Sequence, residues 1–75
     1  MTAYYEILKG GDTFGVFVSD SPDAVISQVG DTIPLPPRFA ERGFSVKRIT
    51  ALEASRMMMV YPTVSLEDFA AEAGR

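Results

Sequence analysis

The sequence predicts an α+β fold. It is a two-layer sandwich in which a three-stranded antiparallel sheet, order 2-1-3, carries a crossover helix and two short C-terminal helices. Three observations predict it. Two strand-like runs, "AYYEILK" at 3–9 and "FGVFVS" at 14–19, flank a glycine-rich turn. A helix-punctuated stretch, "DSPDAVISQVG", separates them from a third strand-like run, "FSVKRI" at 44–49. Two hydroxyl-capped helical stretches complete the chain. The 75 residues are expected to form one domain, 1–75.

Between the first two strands lies Gly10-Gly11-Asp12-Thr13. The Gly-Asp pair suits the central positions of a type II′ turn, where glycine supplies the positive φ. That turn would set Lys9 against Phe14, Ile7 against Val16 and Tyr5 against Val18. Tyr4, Glu6, Leu8, Gly15, Phe17 and Ser19 would then share the opposite face. In the crossover helix, Ser21 is the N-cap, Pro22 takes the first helical position and Asp23 sits in the first turn, where the helix dipole favours an anion. Val25, Ile26 and Val29 form its apolar stripe, and Gly30 ends it. "DTIPLPP" reads as a stiff extended connector because of its three prolines. "RFAERG" reads as one helical turn after Pro37, closed by Gly43. In the third strand Phe44 and Val46 share one face, and Lys47 and Ile49 the other.

Thr50-Ala-Leu-Glu53 is a capping box. The following residues are strong helix formers up to Val60, and Pro62 marks a stop, which predicts a helix over 51–60. Ser65 caps the last helix, "LEDFAAEA", with Leu66, Phe69, Ala70 and Ala73 as its stripe and Gly74 as its end.

Composition excludes several function classes. There is no cysteine and no histidine. Disulfides and the usual zinc and haem ligands are therefore absent, and so are the commonest acid–base and nucleophilic devices. Glu67 and Asp68 are neighbours on a helix, where adjacent side chains diverge. Gly10-Gly11 lacks the spacing of a phosphate-binding loop. The chain is expected not to be an enzyme and to need no cofactor and no metal. The N-terminus shows no basic segment followed by an apolar run, so a cytoplasmic location is expected, with no membrane partner.

The net charge of −3 is unevenly spread. Residues 1–36 set Lys9 against Glu6, Asp12, Asp20, Asp23 and Asp31, giving −4. Residues 37–56 set five bases against Glu41 and Glu53, giving +3. Direct nucleic-acid binding wants a dominant positive field, which this pattern lacks. It suits a protein partner with a positive surface.

"SRMMMVYPTV", 55–64, places three methionines in a row. On a helix they sweep roughly 200°, and on a strand they alternate, so one core cannot take all three. At least one meets another helix of the chain or a second protein, for which thioethers are well suited. Arg56 beside them is a plausible anchor, because Arg is enriched in interface hot spots. The expected partner-binding set is Tyr4, Glu6, Phe17, Asp20, Asp23, Arg56, Met57 and Met58. The aspartates have a second reading, as turn and cap residues. Two binding classes follow: a protein that docks on a larger assembly and blocks it, and a homo-oligomeric structural or accessory protein, for instance a homodimer, of a phage or bacterium.

The opening "YYEILKGGDTFGVFVSDSPDAVISQ" resembles the strand–turn–strand–helix start of small phage-borne proteins. Among these are anti-CRISPR inhibitors of multi-subunit type I surveillance complexes. The likeness is one of size, charge and pattern over about a third of the chain. It implies a stoichiometric phage-encoded inhibitor in the bacterial cytoplasm that occupies a DNA- or subunit-binding surface. Asp12, Asp20, Asp23 and Asp31 would then stand in for phosphates.

Overall fold

The computed structural model describes residues 2–20 and 28–74. In chain order the elements are β1 (Ala3–Lys9), β2 (Asp12–Ser19), β3 (Thr32–Ile33), α1 (Pro37–Glu41), β4 (Phe44–Ile49), α2 (Ala51–Met58) and α3 (Leu66–Ala73). The sheet order is β2-β1-β4-β3, and each neighbouring pair is antiparallel. The expected 2-1-3 arrangement is present as β2-β1-β4. The fourth strand corrects the expectation of a purely connecting "DTIPLPP". Thr32 and Ile33 precede the first proline and keep their N–H groups, so they pair with Lys47 and Val46 before Pro34 ends the pairing. Just upstream, Gly30 N–H donates to the Arg48 carbonyl at 2.8 Å, and Arg48 N–H donates to the Asp31 carbonyl at 2.9 Å.

The crossover helix, with Ser21, Pro22, Asp23, Val25 and Ile26, falls outside the described residues. Val29, expected in its buried stripe, is exposed, and Gly30 follows with φ +95°.

The hairpin differs from the expectation by one residue. Gly10 and Gly11 both have positive φ, +61° and +89°, so they are the central pair and the turn has type I′ geometry. Lys9 faces Asp12 and Leu8 faces Thr13; then the register shifts and Ile7 faces Gly15. Phe14 is the extra residue of a β-bulge. Beyond it, Tyr5 faces Phe17 and Tyr4 faces Val18. A slip of one residue sends every side chain of a strand to the other face. Phe17 therefore lies with Tyr5, not with Tyr4, and Val16 and Val18 join the Tyr4 face.

Each face carries its own core. On one, Ala3, Tyr5, Ile7, Phe44 and Val46 pack with Phe39 of α1 and Phe69 of α3. The Phe69 ring lies 4.7 Å from Phe39 and 5.1 Å from Phe44 between centroids, and Phe14 meets Phe44 edge-on at 5.5 Å. These tilted and edge-to-face contacts add to the area they bury. Phe69 dominates α3's packing: Leu66 and Ala70, expected in its stripe, are exposed. The Ala73 side chain is outside the described set. Gly74 ends α3 with φ −85°, so it acts without left-handed geometry. On the other face, Val16, Ile49 and Ala54 of α2 form a smaller core, with Tyr4, Val18 and Met57 packed against it.

The chain joins these two faces around the free edge of β2. Val16 N–H donates to the Pro62 carbonyl at 3.0 Å, and Val64 N–H donates to the Val16 carbonyl at 2.8 Å. A parallel bridge between Val16 and Thr63 results, and it covers an edge that would otherwise expose unpaired groups. Gly15 permits this close approach: a Cβ there would overlap the Val64 side chain and lie 2.8 Å from the Pro62 carbonyl oxygen.

Candidate interaction surface

The surface is built on α2. Thr50 is its N-cap, and its Oγ1 accepts from Glu53 N–H at 3.1 Å, the first half of the expected capping box. The helix ends at Met58, two residues before the expected limit. Tyr61 N–H and Val60 N–H both turn back to the Met57 carbonyl, at 2.7 and 3.0 Å, which tightens the end ahead of Pro62.

Ala54 decides how the helix sits. It is fully buried against Val16 and Ile49, and its small side chain lets α2 lie close to the sheet. Met57, one turn on, is half-buried beside Tyr4 and Val18. These two positions form the inner face. Leu52, Ser55, Arg56 and Met59 project from the opposite side, and all four are exposed. The methionine triplet is thus divided by helix geometry. Met57 points in, Met58 lies at the rim at 37% exposure, and Met59 points out at 86%.

Large exposed apolar side chains concentrate here. Among the described residues they are Val29, Leu52, Met58, Met59, Val60, Tyr61 and Leu66, so five of the seven lie within 52–61. A cluster of this kind marks a contact surface more than scattered single residues do.

The expected site residues do not form one patch. Tyr4 and Met57, both half-buried, pack against the small core and support α2, while Arg56 and Met58 are on the surface. Glu6 is half-buried, and its carboxylate accepts from the Thr13 hydroxyl at 2.7 Å. Phe17 is on the opposite face, 6.0 Å from the Tyr5 ring, where it lines an apolar depression of about 230 Å³ with Ile33, Leu35 and Leu66. Asp20 accepts from the Thr2 hydroxyl at 2.8 Å. Asp31 accepts from Gln28 N–H at 3.0 Å while its own N–H donates to the Gln28 carbonyl, so its turn chemistry is in place. Asp23 is outside the described residues.

Leu52, Met59, Val60 and Tyr61 were absent from the expected set. Leu52 and Met59 lie seven positions apart on the side opposite Ala54 and Met57, and which side faces outward is set only by where Ala54 meets the sheet. Val60 and Tyr61 could not be assigned without knowing where α2 stops.

No group of three or more acidic side chains placed to hold a metal ion occurs among the described residues. None of their helices is long and apolar enough to cross a membrane. Comparison with protein-family models, with curated proteins and with solved structures finds no match for this chain.

Proposed function

We propose that this chain acts by contact, as a non-catalytic protein-binding module. The observation that carries the reading is the run of exposed apolar side chains at 58–61, which belongs to neither of the two cores. The residue inventory supports it, since a chain without imidazole or thiol lacks the usual catalytic groups.

The partner class we propose is the one implied by the resemblance to phage-borne inhibitors: a type I CRISPR surveillance complex, bound so as to block DNA or subunit binding. The acidic balance of residues 1–36 supports a positive surface on that partner. The paired roles of Asp20 and Asp31 within the fold favour general charge complementarity over a strict phosphate mimic.

The test is the DNA occupancy of purified type I complexes, read by mobility shift while the chain is titrated in. Loss of DNA binding near one chain per complex is expected. Unchanged occupancy at large excess, across complexes of several subtypes, would remove the inhibitor reading.

A further inference from the structure

We propose that the outer face of α2 is a self-association surface whose occupant is a second copy of this chain, the two helices packing antiparallel. Leu52, Ser55 and Arg56 of α2 and Met59, its C-cap in helical geometry, stand at i, i+3, i+4 and i+7 and form one continuous stripe. Its two apolar ends, Leu52 and Met59, are 62% and 86% exposed and belong to neither core. A two-fold axis near Ser55 sets Leu52 of each copy against Met59 of the other, so the contact closes on itself.

The charges choose the occupant. Glu53 and Arg56 lie toward the same flank of the stripe, three residues apart. Neither side chain is engaged in an ion pair among the described residues. In an antiparallel pair related by that axis the two copies present the same flank to each other, so each Glu53 comes alongside the Arg56 of the other copy. A face with one acid and one base in this relation complements itself; it offers no net charge to a strongly charged partner. Ala51 and Ser55, both small, allow the helix axes to come within the usual packing distance of about 8–10 Å. Val60 and Tyr61 extend the apolar surface past the helix end.

The stripe is shorter than a standard interface of roughly 800 Å² per partner, so a weak dimer, on the order of tens of micromolar, is expected. The pairing does not rest on the inhibitor reading: association of the pure chain and DNA occupancy of a surveillance complex are separate measurements, and either can fail alone.

The experiment is sedimentation of the 75-residue chain at low salt, over a concentration range from about 10 μM to about 1 mM, which brackets that affinity. The mass is expected to rise from the 8.2 kDa monomer to twice that value. Leu52→Asp should hold the chain monomeric with an unchanged far-UV circular dichroism spectrum. Arg56→Glu and Glu53→Arg should each weaken the dimer about tenfold, since every substitution places like charges together at two symmetric positions. The double variant Glu53→Arg/Arg56→Glu should restore it. A monomer throughout the range, a dimer indifferent to Leu52→Asp, or a double variant no tighter than the single ones would each overturn the proposal.

Discussion

Gly15 is the glycine, among the described residues, at which an added Cβ would meet its neighbours most closely. It faces Ile7 across the sheet, directly after the bulge at Phe14, and its missing side chain leaves room for Pro62 and Val64. Gly15→Ala would push the 62–64 segment off the β2 edge and strain both of its hydrogen bonds to Val16. Overpacking of this kind costs about 1–3 kcal/mol, and urea denaturation should show a loss in that range. A wild-type midpoint would mean that the segment moves aside freely. In the sequence, Gly15 reads as an ordinary strand residue beside Leu8. Its role rests on a contact with residues some fifty positions away, which no local pattern encodes. The methionines are the contrary case. That one core could not take all three followed from the angle between neighbouring residues; which one points inward followed only from where Ala54 meets the sheet.

At the scale of elements, local chemistry was a good guide. Thr50 and Ser65 both cap as their sequences imply, with Ser65 Oγ accepting from Asp68 N–H at 3.1 Å. The short helix after Pro37 and the third long strand stand where they were expected. Helix α2 is only eight residues, too short to hold itself together without its cap and its two inward side chains. Thr50→Ala is therefore expected to cost about 1 kcal/mol. Hydrogen exchange should show the loss first at the amides of α2, because Glu53 N–H loses its acceptor. Equal loosening of all elements would show instead that α2 opens only with the whole fold. The hairpin was less legible. Both Gly10-Gly11 and Gly11-Asp12 are acceptable turn pairs, and choosing between them moves the pairing by two residues, which changes each partner but not its face; the one-residue bulge is what sends the rest of β2 to the other face. The bulge then adds a second shift, so the register seen at Tyr5–Phe17 is the outcome of both.

Over the whole molecule, two small cores share one sheet, and the link between them runs around an edge. The larger core depends on Phe69, the α3 ring inserted between Phe39 and Phe44. Phe→Ala changes in cores cost about 3–5 kcal/mol. A domain of this size rarely holds more than about 3–5 kcal/mol in total. Phe69→Ala is therefore expected to leave the chain largely unfolded at 25 °C, read by loss of circular dichroism and of a cooperative urea transition. A folded variant with a small loss would mean that the sheet and α2 stand without α3. The same arithmetic bears on self-association. A dimer formed through α2 would stabilise the fold by mass action, so the urea midpoint should rise with protein concentration.

The identities of β1, β2, β4, α1, α2 and α3, the caps at Thr50 and Ser65, and the exclusion of histidine- and cysteine-based chemistry came from residue types and short-range spacing, because capping, turn geometry and metal ligation act over a few residues, whereas the pairing of β3 emerged only in the sheet. The face on which each strand residue lies, the placement of Phe17 opposite Tyr4, and the exposure of Leu52, Met59, Val60 and Tyr61 came from the folded arrangement. They depend on one bulge, one glycine contact and one buried alanine, and each of these joins parts of the chain that are remote in sequence.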